Sequence, residues 1–180
     1  MLEDDVAEIL VTEEELKAKV AELGQAISAD YRGKNPLLIA ILKGAVVFLT
    51  DLMRHITIPH EIDFIAVSSY GAATESSGIV RLVMDLETNI EGRHVLLVED
   101  IVDTGLTLNY IIENLKTRRP ASIKTCVLLN KAERRQVDVP LDYVGFDIPN
   151  KFVVGYGLDY GEKYRNLPFV GVLKPELYAR

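Results

Sequence analysis

The stretch VLLVEDIVDTGLTL, residues 95–108, sets three carboxylates, Glu99, Asp100 and Asp103, behind a run of aliphatic residues, then adds Thr104, Gly105 and Thr107 where a helical pattern begins. A loop feeding a helix N-terminus presents unpaired backbone N–H groups and the positive end of the helix dipole, which suits an anion such as phosphate. Thr104 and Thr107 add hydroxyl donors, and Gly105 permits close approach of the backbone. The acids would repel a bare phosphate, so they must serve a different part of the ligand. Carboxylates accept hydrogen bonds from sugar hydroxyls and ligate magnesium. The predicted ligand therefore carries a phosphate at one end and hydroxyls, with or without metal, a few ångströms away. A ribose 5-phosphate has that shape.

The flanking elements must hold this turn in place. Thr12 and Glu15 have capping-box spacing, and Leu16, Val20, Leu23 and Ile27 fall on one helical face after them. PLLIAIL is a continuous aliphatic run too short for a separate helix, so it predicts a strand covered on both faces. Lys43-Gly44 break it before AVVFLTDLMRHI resumes a helical pattern. HEIDFIAVSSY and IVRLVMD predict two strands around the small polar stretch GAATESSG, and HVLLVE predicts the strand before the acidic turn. LTLNYIIENLKTRR places Leu108, Ile111, Ile112 and Leu115 on one side, with Pro120 as its stop. SIKTCVLL, YVGF, FVVGY and FVGVL supply later strands between turn residues and prolines. Strands alternating with helices give an α/β fold with a mostly parallel central sheet flanked by helices, whose ligand sites lie at the carboxyl ends of strands. Lys43, the 99–107 turn and Lys131 all follow strand ends, so one crevice can hold them.

Length and composition set the bounds. A chain of 180 residues fits one domain and buries roughly 70% of its unfolded surface without staples. The single Cys126 lies in an apolar run, which excludes an intramolecular disulfide, and no CxxC or HExxH spacing offers a zinc site. The N-terminus is acidic where a secretory signal is basic and then apolar, and no stretch approaches the ~18 apolar residues of a spanning helix. A cytoplasmic protein without membrane contact is expected. A net charge of −7 and a pI near 5.0 argue against broad contact with nucleic acid, although the local patch of Lys131, Arg134 and Arg135 suits a phosphate.

Other motif readings fail on context. DTG also marks aspartic proteases, but that site belongs to an all-β fold and this one opens a helix. The pattern GxxxxGK[ST] is absent, and GYGLDYG has the wrong glycine spacing for a dinucleotide fingerprint.

VEDIVDTGLT resembles the signature of the type I phosphoribosyltransferases at every defining position: a strand, two acids, two aliphatics, then Asp-Thr-Gly-x-Thr. ILKG, AVSSYG, LNKAE and KFVVGYGLDYGEKYRNLPFVGVLKP extend the resemblance over nearly the whole chain, closest to the bacterial hypoxanthine-guanine branch of that family. The resemblance implies transfer of ribose 5-phosphate from phosphoribosyl pyrophosphate to N9 of hypoxanthine or guanine. The products are IMP or GMP and pyrophosphate, and Mg²⁺ is the cofactor.

It further implies that Glu99 and Asp100 hold the ribose hydroxyls and organise magnesium, and that residues 103–107, including the Leu106 amide, cradle the phosphate. Asp103 is then the general base near purine N7. Lys131 donates to the purine O6, Phe152 stacks on the base, the Val153 backbone meets its edge, and Leu158 packs nearby. Asp159 serves the magnesium that carries pyrophosphate, while Arg165 and the Lys43-Gly44 loop bind pyrophosphate itself, with a Leu42-Lys43 peptide that can be cis. Arg135 aligns near a further pyrophosphate contact. Without the family, Lys131 reads as a solvated lysine, Phe152 as core, and Arg165 as an exposed loop residue.

Ser69 and Tyr70 open a lid in relatives, and relatives form homodimers or homotetramers. One domain spanning 1–180 is expected, with a core at about 35–150 and a small hood over the purine site from the N-terminal segment and about 151–180. The competing class is a regulator on the same fold that binds RNA or DNA, whose mark is an extended basic face. An enzyme preferring xanthine is the nearer rival.

Overall fold

β-strand runs such as LLIAIL and VLLV are aliphatic at successive positions, so they must be buried on both faces, with side chains alternating between them. The computed structural model, which describes residues 1–69 and 80–179, has that arrangement. Strands β1 (Val6–Val11), β2 (Leu37–Leu42), β3 (Glu61–Ser69), β4 (Val80–Met84), β5 (His94–Val102), β6 (Ser122–Asn130), β7 (Tyr143–Asp147), β8 (Val153–Val154) and β9 (Val170–Leu173) accompany helices α1 (Glu13–Asp30), α2 (Val46–Arg54) and α3 (Leu106–Lys116). The main sheet runs β4-β3-β2-β5-β6-β7. Its strands are parallel except β4, which pairs antiparallel with β3. The α/β fold with a mostly parallel sheet is therefore borne out.

The alternation sorts the core into two layers. Leu38, Ala40, Leu96, Val98, Cys126 and Leu128 face the side covered by α1 and α2, where Leu16, Val20, Ile27, Phe48, Leu49 and Leu52 close the layer. Leu37, Ile39, Val95, Leu97 and Val127 face the other side, under Leu108, Ile111, Ile112 and Leu115 of α3. Each of the fully buried Leu, Ile, Val and Phe side chains contributes about 1.5 to 3 kcal/mol. Phe48, with no exposed surface, is a position where truncation to alanine costs about 3 to 5 kcal/mol. The capping box of α1 forms as its sequence predicts: Glu15 N–H donates to Thr12 Oγ1 (3.2 Å) and Thr12 N–H to Glu15 Oε2 (2.8 Å).

Three boundaries differ from the sequence pattern. β5 continues through Glu99, Asp100 and Ile101 to Val102, because β6 pairs with it as far as Val102 opposite Asn130. The two acids are thus the end of a strand rather than part of a turn, and the sheet ladder fixes their backbone. β8 is only two residues long, since Gly155 (φ +97°) and Tyr156 (φ +51°) turn the chain out of extended geometry. The acidic N-terminus contains β1, which pairs antiparallel with β9, and β9 pairs with β8, giving a second, three-stranded sheet. Its own apolar cluster holds Val154, Tyr164, Leu167 and Leu173.

Candidate active site

The acids at the end of β5 are buried: Glu99 is 7% and Asp100 8% exposed. Burial, followed by the neighbouring Asp100 charge, pushes the Glu99 carboxyl well above the usual carboxylate range, and burial pushes Asp100 up as well. The Asp100 and Ile101 amides donate to Glu99 Oε1 (3.1 Å) and Asp100 Oδ1 (2.8 Å), and Arg165 is a cation whose field opposes the Asp100 shift. Two adjacent buried carboxylates call for a cation. Among the described residues no group of three or more His, Cys, Asp or Glu side chains stands ready to hold a metal. Magnesium commonly takes one or two carboxylates and completes its shell with substrate phosphates and water, so this pair fits its donor chemistry.

The chain then turns into α3 through Gly105 at φ +85°, a backbone conformation that side chains resist. A Cβ there would stand 2.8 Å from the Val137 carbonyl oxygen. The Leu106 amide donates to Thr104 Oγ1 (3.3 Å), and backbone bonding onto the Gly105 carbonyl starts at Asn109 (2.9 Å). Apart from Leu106, the N–H groups of α3 before Asn109 have no backbone partner among the described residues and are left at the helix end. Glu99, Asp103, Thr104, Gly105 and Thr107 line a cavity of about 150 Å³ there. Arg135 holds the turn from behind, its Nε donating to the Asp103 carbonyl (3.1 Å) and its guanidinium to Asn130.

A second cavity of about 260 Å³ is lined by Asp103, Lys131, Arg134, Phe152, Leu158 and Asp159, together with Asp100, Ile101 and Val153. Asp100 and Asp103 belong to both cavities, so the two adjoin across these carboxylates. Lys131 is 6% exposed, not solvated as its position after a strand suggests. Burial lowers its pKa while Asp103 opposes that shift. Arg134 Nη1 donates to Asp103 Oδ2 (3.1 Å); Asp103 Oδ1 is buried and has no hydrogen-bond partner among the described residues. Arg134 was legible only as one member of a basic patch, and its pairing with Asp103 comes from the turn after β6.

The third group gathers beside Asp100. A Cβ on Gly44 would stand 2.0 Å from Asp100 Oδ2, and one on Gly157 would stand 2.2 Å from the Gly44 carbonyl oxygen, so backbone packs on carboxylate with no room for a side chain. The Leu42-Lys43 peptide is cis. Arg165 donates to the Gly157 carbonyl (2.7 Å) and pairs with Asp159 (3.3 Å) and Glu162 (3.1 Å), while Lys43 pairs with Glu162 (3.0 Å). Glu162, which no sequence pattern singles out, thus links Lys43 to Arg165. Of the two residues expected to open a lid, Ser69 ends β3 with its backbone opposite Val80, and Tyr70 lies outside the described residues.

Residues 7–161 match the phosphoribosyl transferase domain model. A hypoxanthine-guanine phosphoribosyltransferase of Streptococcus thermophilus is 54% identical over 180 residues, all of both chains. One from Mycobacterium avium is 52% identical over 98% of this chain and 90% of its own. Among solved structures, a hypoxanthine phosphoribosyltransferase from Staphylococcus aureus superposes with a TM-score of 0.95 at 46% identity, covering 99% of this chain and 97% of that one. With a family match over most of its length and relatives of this identity end to end, the chain belongs to the phosphoribosyltransferases.

Proposed function

We propose that the protein acts in purine salvage, as a hypoxanthine-guanine phosphoribosyltransferase that moves ribose 5-phosphate from phosphoribosyl pyrophosphate to N9 of hypoxanthine or guanine. The observation that carries this reading is the pair of adjoining cavities that share Asp100 and Asp103. One offers helix-terminal amides and threonine hydroxyls, as a sugar phosphate requires; the other offers a lysine, an aromatic ring and apolar walls, as an oxopurine requires.

In this reading the bond from the sugar C1 to pyrophosphate breaks as N9 bonds to C1, and the proton on purine N7 passes to Asp103. The unpartnered Asp103 Oδ1 supports that role, since it is an acceptor awaiting a donor. Glu99 and Asp100 hold the ribose hydroxyls, and residues 103–107 hold the 5-phosphate. Lys131 donates to O6; an ammonium has donors only, so it suits a 6-oxo group and not the 6-amino group of adenine. Phe152 stacks on the base, with Val153 and Leu158 at its edge. Lys43, Gly44 and Arg165 take the leaving pyrophosphate. Glu162 accompanies Lys43 and Arg165 until pyrophosphate displaces it. Glu99, Asp100 and Asp159 would hold magnesium, which when bound neutralises charge developing on the departing oxygens.

The small sheet serves as the hood of a single domain, Ser69 and Tyr70 open a lid, and the protein works as a homo-oligomer in the cytoplasm. A turnover assay with phosphoribosyl pyrophosphate, magnesium and hypoxanthine, guanine, xanthine or adenine tests the reading. Hypoxanthine and guanine should be used and adenine poorly; adenine turned over fastest would overturn the substrate class.

A further inference from the structure

Three aromatic rings meet beside the second cavity, and only one of them lines it. Phe152, 37% exposed, is part of the cavity wall. Tyr178, just after the short 3₁₀ turn Pro175–Leu177, stacks on Phe152 with ring centroids 4.8 Å apart and planes 28° apart. Tyr160 meets Phe152 edge-on at 5.7 Å and 89°, and Tyr178 at 6.4 Å. A near-parallel stack covers one face of a ring. Phe152 lines the cavity and Tyr178 does not, so Tyr178 backs the Phe152 ring without itself being part of the cavity wall.

Tyr178 is itself anchored. It packs on the apolar cluster of Val154, Tyr164, Leu167 and Leu173 under the small sheet, and its amide donates to the Pro175 carbonyl (3.2 Å). An exposed phenylalanine ring without such backing would lose rotamer freedom when a base stacks on it, and that ordering weakens binding.

We propose that Tyr178 is a positioning residue for purine binding: it fixes the Phe152 ring so that a planar base stacks on a preorganised platform. The proposal rests on the reading of Phe152 as that platform. Tyr178→Leu keeps apolar bulk on the hood cluster and removes the aromatic face, while Tyr178→Phe keeps the face. Steady-state kinetics should show KM for hypoxanthine and guanine raised about 2- to 10-fold in Tyr178→Leu. KM for phosphoribosyl pyrophosphate should stay unchanged, and Tyr178→Phe should behave as wild type. Phe152→Leu is measured alongside. If it raises purine KM and Tyr178→Leu does not, the role of Tyr178 alone is overturned; if Phe152→Leu leaves purine KM unchanged, the platform reading falls with it. An equal rise in KM for both substrates, or Tyr178→Phe behaving like Tyr178→Leu, also overturns the stack as the cause.

Discussion

Arg134 holds one oxygen of Asp103, with Nη1 3.1 Å from Oδ2, and leaves the other, Oδ1, buried without a partner among the described residues. The pairing orients the carboxylate, and an unsatisfied buried acceptor is the kind of local cost that functional sites retain. Asp103→Asn keeps the shape and removes the basicity. Turnover is expected to fall about 10²- to 10⁴-fold, the usual worth of general base catalysis. Binding of phosphoribosyl pyrophosphate, followed by calorimetry, should be largely retained. Unchanged turnover under conditions where chemistry limits the rate would remove Asp103 from the mechanism.

Lys131 sits in the wall of the same cavity, buried and near Asp103. A hydrogen bond from a charged donor is worth about 1.5 to 3 kcal/mol, so Lys131→Ala should lower kcat/KM for hypoxanthine about 10- to 100-fold. Adenine should be affected far less, and the ratio between the two bases is the measurement. A ratio equal to that of the wild type would rule out the O6 contact.

The paired acids at the end of β5 make stability depend on pH. Both carboxyls titrate above their unfolded values, chiefly through burial. Below the ordinary carboxylate range both are protonated in either state. As pH rises the unfolded chain ionises first, and stability is lost until the folded pair has ionised too. Glu99→Gln removes one of these groups, so its thermal midpoint should exceed that of the wild type at pH 8 and converge with it near pH 4. For a chain of this size each kcal/mol of difference reads as about 2 to 4 °C in the midpoint. Magnesium with pyrophosphate should raise the wild-type midpoint more than that of the variant. A wild type more stable than Glu99→Gln at pH 8 without metal would contradict this picture.

Gly105 opens α3 at φ +85° with the Val137 carbonyl close by. Gly105→Ala should cost about 1 to 2 kcal/mol for the left-handed backbone alone. Denaturant unfolding reads that loss, and IMP affinity should fall with it because the helix-terminal amides are displaced. Alanine tolerated on both measures would mean the turn is not constrained as described.

The turn into α3 and the cavity it lines were legible in the sequence because the pattern is local: Asp103, Thr104, Gly105 and Thr107 lie in one stretch that also opens α3. The central strands were legible because burial on both faces leaves continuous aliphatic runs such as Leu37–Leu42. β1 was not, since its residues are mostly half-exposed or exposed and its pairing with β9 joins the two ends of the chain. The Lys43–Glu162 and Arg134–Asp103 pairs escaped for the same reason, being separated by 119 and 31 residues. Lys131 was buried by its neighbours in space, which its flanking sequence does not reveal.

A crystal structure with IMP bound tests the central claim most directly. The 5-phosphate should lie on the amides of residues 104–107, within reach of the Thr104 and Thr107 hydroxyls, with the ribose beside Glu99 and Asp100 and the base between Lys131 and Phe152. A phosphate bound anywhere other than the start of α3 would contradict the account.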